Sequence, residues 1–210
     1  MDTRNERESL MGKVISSASM SLDGYVAHSD DTPGSLFDWY NNGEVEVRTA
    51  HQDLTFQLTP QSSEYWRAWT AGLGVLVVGR RLFDVTDGWG GVHPLDVPVV
   101  VLTHDPPTGW HYPGSENFSF VTEGIVAAVA RAQEVAGDRV VGVAAGTIAG
   151  QCLAAGLLDE VAIDLVPVVL GAGRRYFGDF TDGATPQLGD PTTSIQGRRV
   201  THLIFPVDRG

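Results

Sequence analysis

The chain has 210 residues, 42% of them apolar and 19% charged, with a formal net charge of −12 at neutral pH. That length and apolar share suit one α/β domain. No apolar run of about 18 residues is present to cross a bilayer, and the negative charge disfavours nucleic acid and anionic membrane, which are bound by basic side chains that neutralise phosphate. The single cysteine, Cys152, excludes an intrachain disulfide and suits a reducing cytoplasm.

Residues 1–11, MDTRNERESLM, are polar and mixed in charge with no apolar h-region, so a disordered tail is expected there rather than a signal peptide. Met11 is an alternative start, and residues 12–210 are expected to form one domain. Val14 to Ala18 predicts a first strand that runs into the turn Ser21-Leu22-Asp23-Gly24, with Tyr25-Val26-Ala27 resuming beyond it. A polar loop follows from His28 to Gly34, and Leu36 to Tyr40 then sets Asp38 between Phe37 and Trp39. Glu44 to Ala71 is ambiguous: Tyr65, Trp66 and Trp69 fall at helical spacing, but many β-branched and polar residues precede them.

Val75 to Val78 and Val97 to Leu102 read as buried strands, the second entered through Pro98. Phe118 to Val121 is a third. The spacing of Ile125, Val129, Ala132 and Ala136 predicts a helix from Gly124 to Ala136, ended by Gly137. Arg139 to Val143 is a strand, Thr147 to Ala155 a short helix capped by Gly156, and Val161 to Val169 and Val200 to Val207 are the last strands. Strands alternating with short helices predict an α/β fold with a mostly parallel central sheet flanked by helices and an antiparallel C-terminal strand.

Two strand-to-helix junctions carry candidate chemistry. At Val143-Ala144-Ala145-Gly146-Thr147 small residues let backbone amides and the positive end of a helix approach a phosphate, although the same residues suit a plain tight turn. At Gly79-Arg80-Arg81-Leu82-Phe83 two arginines oppose the helix dipole and call for an anion, although surface arginines are common. Both junctions fall at the carboxyl ends of strands, where α/β sheets bind ligands. Thr103 and His104 follow the Val97 to Leu102 strand at that edge, as contacts to an adenosine 2′-phosphate or as ordinary loop residues. Asp38, between two aromatics, is a candidate proton donor with a raised pKa or else a solvated or capping acid. Asp164, in an apolar strand, needs a partner or an open pocket. The chain has no G-x-G-x-x-G after a strand, no P-loop, no G-x-S-x-G and no H-E-x-x-H, and its six histidines show no metal-ligand spacing.

Four segments, taken together, resemble the dihydrofolate-reductase-like superfamily, specifically the stand-alone reductases similar to the C-terminal domain of the bifunctional riboflavin-biosynthesis deaminase-reductase. They are Ser19 to Ala27 (SMSLDGYVA), Val78 to Phe83 (VGRRLF), Val100 to Thr103 (VVLT), and Gly146 through AGLLDE to Gly173 (PVVLGAG). The resemblance spans about Gly12 to Val207. It implies NADPH as cofactor, with Gly79, Arg80, Arg81, Leu82, Thr103 and His104 at its phosphates and adenosine. It further implies Ala145, Gly146, Thr147, Ile148 and Ala149 at the pyrophosphate, and Ser19 and Val26 beside the nicotinamide. Asp38 and Asp164 would be catalytic and Trp39 and Val166 would meet the substrate. The family usually has Gly-Gly at Ala144-Ala145, and the arginine that folate reductases use for the glutamate tail is absent between Leu82 and Ala130. The expectation is a hydride-transferring reductase of a small pterin-like or pyrimidine-like heterocycle, with no metal, working as a cytoplasmic homodimer through its exposed C-terminal strand Val200 to Phe205. A cofactor-binding protein or sensor without catalysis stands beside it as the second reading.

Overall fold

The computed structural model describes residues 12–180 and 186–208; the tail expected at residues 1–11 lies outside the described residues. In chain order the elements are β1 (Val14–Ser21), β2 (Tyr25–Ala27), β3 (Val45–Arg48), β4 (Thr55–Leu58), α1 (Pro60–Gly72), β5 (Leu73–Gly79), α2 (Arg80–Val85), β6 (Val99–Leu102) and β7 (Phe118–Val121). Then come α3 (Ile125–Ala136), β8 (Val140–Ala144), α4 (Thr147–Ala154), β9 (Glu160–Val166), β10 (Arg174–Arg175), β11 (Thr193–Gly197) and β12 (Val200–Pro206). A 3-10 turn spans Gly34–Tyr40.

Eight strands form one sheet in the order β11-β12-β9-β1-β8-β5-β6-β7. The run from β9 to β7 is parallel, and β12 is antiparallel to both β9 and β11. The valine-rich strands β5, β6 and β8 are buried, as parallel strands covered on both faces must be. Ala128, Val129, Ala132 and Ala136 of α3, with Ile148, Ala149 and Cys152 of α4, pack on Val75, Val77, Val141 and Val143. Ile15, Leu73, Val140 and Ala162 face the other way and meet Trp69 of α1. Burial raises the Cys152 thiol to about 12, so it acts as packing.

The ambiguous stretch resolves into the β3–β4 hairpin followed by α1. Its β-branched residues belong to the hairpin and its tryptophans to the helix, which starts with Pro60 at its first turn and Thr59 accepting the Ser62 amide. Strand β9 ends at Val166 instead of Val169. Pro167 carries no N–H to continue the ladder, and the Val168 amide turns back to the Val166 carbonyl. The expectation of an exposed C-terminal strand is corrected: β12 lies between β9 and β11, with Val200 and His202 buried, and the strand at that edge is β11.

Candidate active site

The carboxyl ends of β1, β8, β5 and β6 meet along one edge of the sheet, and the segments that leave them form the candidate site. Gly79 caps α2 and Gly146 caps α4; neither helix has a side-chain cap or an acidic residue in its first turn. The first-turn amides therefore retain their partial positive charge. In the turn from Val143 to Thr147 the one residue with left-handed φ is Gly146, at +94°, and the space where its Cβ would stand is open. Ala144 and Ala145 have ordinary backbone angles. The conformational demand of this turn thus falls on Gly146 and not on Ala144-Ala145.

These groups fit a phosphate-bearing cofactor: the turn at Gly146 is open and Thr147, at the uncapped start of α4, is exposed, with Ile148 and Ala149 buried behind it and Arg80 and Arg81 on the neighbouring helix. The arginines are not waiting for an anion, however, as their sequence position suggested. Arg80 donates to Asp84 at 2.7 Å and to the Asp105 carbonyl. Arg81 donates through Nε and Nη2 to Asp31 at 2.8 and 2.5 Å, and Arg174 donates to the same carboxylate at 2.7 Å. The two guanidiniums, Arg81 first, hold the Asp31 carboxyl down at about 2. Asp31 thereby ties the loop after β2 to α2 and β10. Sequence reading missed it; the pair of arginines it neutralises was the available signal.

Thr103 is buried, and its hydroxyl is spent on its own loop, donating to the Asp105 carbonyl and accepting the Asp105 amide. His104 is exposed beside it. Ser19 is buried on β1 and its hydroxyl accepts the indole N–H of Trp39 at 3.0 Å. Val26, on β2, is half-buried.

The two acids separate. Asp38 is exposed, as is Phe37 beside it, so the apolar surroundings expected around that carboxyl are absent. Asp164 is 5% exposed, lies directly beside Ser19 in the sheet, and has a partner that the sequence did not reveal: His202 Nδ1, 2.6 Å from its Oδ1. Trp39 and Val166, expected to meet the substrate, are 1% and 2% exposed and pack into a core with Leu36, Leu58 and Val200. They support the site from behind and present no surface to a ligand. Burial, followed by the charge of Asp164, pushes the Tyr40 and Tyr65 hydroxyls above the ordinary tyrosine range.

The layer order and the site at the strand ends define a dihydrofolate-reductase-like α/β protein. A family model, the RibD C-terminal domain, matches residues 12–193. The chain belongs to that family. The uncharacterized protein YwjB of Bacillus subtilis (strain 168) is 26% identical over 170 residues, covering 81% of this chain and 85% of YwjB. A candidate riboflavin biosynthesis protein from Shewanella sp. PV-4 shares the fold at TM-score 0.68 and 20% identity, over 94% of this chain and 99% of that one. The Thermotoga maritima diaminohydroxyphosphoribosylaminopyrimidine deaminase/5-amino-6-(5-phosphoribosylamino)uracil reductase matches at TM-score 0.60 and 13% identity, over 93% of this chain but 56% of its own length. Dihydrofolate reductase from Enterococcus faecalis, solved with NADP(H), matches at 0.53 and 14%, over 95% and 98% of the two chains. No described helix is long and apolar enough to cross a membrane.

Proposed function

We propose that the protein is an NADPH-dependent reductase of a small heterocycle, pyrimidine-like or pterin-like. The observation that carries this reading is the open Gly146 turn and its uncapped helix amides, set at the carboxyl ends of the parallel strands beside Arg80 and Arg81. Membership of the RibD C-terminal family supports it, as do the NADP(H) bound by the Enterococcus enzyme and the uracil derivative in the name of the Thermotoga one.

When bound, the nicotinamide supplies a hydride to the carbon of a C=N or C=O bond, and a proton goes to the nitrogen or oxygen. The chain's own residues bind and orient. The Thr147 amide at the open turn, backed by Ile148 and Ala149, and the side chains of Arg80, Arg81 and His104 hold the phosphates and adenosine, while Gly79 and Leu82 let α2 approach. Ser19 and Val26 flank the nicotinamide. Asp164 places a carboxylate beside the substrate ring, where it stabilises positive charge on a protonated C=N nitrogen and makes the adjoining carbon a better hydride acceptor. To Asp38, which is exposed, we assign only the exchange of protons with water.

Titration with NADPH and NADH, followed by the fluorescence of the five tryptophans, tests the cofactor; absence of a saturable change overturns the reading. NADPH oxidation across a panel of pterins and aminopyrimidines then tests the reaction, and binding without turnover marks a cofactor-binding protein instead.

We further propose that the protein is a cytoplasmic homodimer. The dimer would not form along β12 as an edge. Leu203 pairs with Ile163 and Ser194, and Thr201 with Leu165 and Gln196, so these side chains share one face of β9, β12 and β11. Leu165, Leu203 and Phe205 are half-buried and belong to none of the core clusters. Among the described residues of these strands this face bears no charged side chain, so two copies of a chain with net charge −12 can meet there without like charges of the strands in contact.

A further inference from the structure

Ser19 on β1, Asp164 on β9 and His202 on β12 are successive cross-strand partners and therefore lie in one row on one face of the sheet. Behind Asp164 the row continues into a buried chain of hydrogen bonds. His202 Nδ1 is 2.6 Å from Asp164 Oδ1, and His202 Nε2 is 2.9 Å from Ser62 Oγ, in the first turn of α1. The Thr59 hydroxyl donates to Ser62 Oγ at 3.1 Å. The imidazole is clamped on its face by Tyr65, stacked at 4.2 Å, and on its edge by Trp39 at 5.1 Å. The Asp164 side chain keeps 6% exposure and the His202 side chain none, so Asp164 is the member of the pair that solvent touches.

The Thr59 hydroxyl donates to Ser62 Oγ, the Ser62 hydroxyl meets His202 Nε2, and His202 Nδ1 meets Asp164 Oδ1, so the chain of contacts ends on the carboxylate. The pattern has the connectivity of a hydrolytic triad, but Ser62 is 1% exposed, so no substrate carbonyl can reach its hydroxyl.

We propose that His202 and Ser62 are positioning residues for Asp164, fixing the orientation of its carboxylate toward the substrate ring beside Ser19. This inference rests on the reductase reading above. Without the relay the carboxylate is free to rotate, and the stabilisation of a developing charge, which depends on fixed geometry, weakens more than substrate binding does. The titratable groups that face the Asp164–His202 pair are Tyr65 from α1, Tyr40 from the 34–40 turn and Tyr176 from the segment after β10.

The test compares wild type with His202→Phe, His202→Asn and Ser62→Ala, measuring kcat and KM as functions of pH on the panel of pterins and aminopyrimidines, with NADPH binding followed in parallel by tryptophan fluorescence. His202→Phe keeps a ring between Tyr65 and Trp39 and is expected to lower kcat about 10- to 100-fold with little change in KM and none in NADPH affinity. His202→Asn, which keeps an N–H aimed at Asp164, is expected to recover most of that loss. Ser62→Ala is expected to lower kcat a few-fold and to shift the pH profile. Gly197→Ala adds a second route to the same relay should His202→Phe fail to fold, because its Cβ would stand 2.4 Å from Ser62 Oγ. Wild-type kcat and pH profile in the variants overturn the relay alone, as does a loss of NADPH affinity in step with kcat, which marks a structural role. A wild type that neither binds NADPH nor reduces any member of the panel overturns the reductase reading, and the role assigned here falls with it.

Discussion

Asp23 and Gly171, separated by 148 positions in sequence, are joined by a 2.7 Å hydrogen bond from the glycine amide to the aspartate carboxylate. The same carboxylate accepts the Leu170 amide and the Ser21 hydroxyl, and Ser21 in turn accepts the Tyr25 amide. One side chain thus locks the turn after β1 to the PVVLGAG run that leaves β9. The Ser21 hydroxyl, then the two amides, lower the carboxyl from 3.8 to about 2. The folded value lies below the unfolded one, so this carboxylate stabilises the fold fully above about pH 4, and its contribution disappears as pH falls from 3.8 toward about 2. Thermal melts of wild type and Asp23→Asn are expected to differ at pH 7 and to converge near pH 2. A constant difference across that range would show that the charge is not what holds the turn.

Asp31 is a negative charge on Arg81, which the proposed cofactor also needs, and on Arg174. Asp31→Asn is expected to tighten NADPH binding by about 3- to 10-fold, because a neutral amide competes less well than a carboxylate for guanidinium groups. Arg81→Ala is expected to weaken it, with the difference shrinking as salt rises. Fluorescence titrations at two ionic strengths measure both.

The exposure of the two acids separates their roles. Asp38→Asn is expected to change turnover by less than about 3-fold, and Asp164→Asn to reduce it by about 100-fold or more, the range found for a group that acts in proton transfer or charge stabilisation. Steady-state rates on a substrate that wild type reduces decide between them.

Trp39 fills the core beneath the site and gives its indole proton to Ser19. Trp39→Phe removes that donor and leaves a gap, at a cost of about 1–3 kcal/mol in unfolding free energy. Urea denaturation measures it, and an unchanged midpoint would contradict the packing described.

Leu203→Glu places a charge on the uncovered face of β12. Sedimentation of wild type at micromolar concentration is expected to give a dimer, and of the variant a monomer.

The periodicity of the valine-rich strands and the Gly-terminated helices made the layer order legible, because local pattern and tertiary burial agree there. The junctions at Gly79 and Gly146 were equally visible. Three features were not. His202 was read as one scattered histidine, since its partners are 38 and 140 residues away and only strand order brings them together. Asp31 looked like loop polarity until the backbone folded it onto Arg81 and Arg174. Asp38 drew attention through its aromatic neighbours in sequence, yet in the 34–40 turn Trp39 points inward while Asp38 and Phe37 point out. Neighbours along a tight turn do not share surroundings.

The central place of β1 in the sheet also governs how the molecule is made. Its two ladder partners, β8 and β9, are synthesised more than a hundred residues later, and the β11–β12 hairpin must still add to β9. During translation the first strand therefore waits, unpaired, until most of the chain has left the ribosome. Folding of so non-local a sheet is slow and exposed to aggregation, and Ser16, Ser17, Ser19 and Ser21 make half of the waiting strand polar, a composition that disfavours its pairing with another chain.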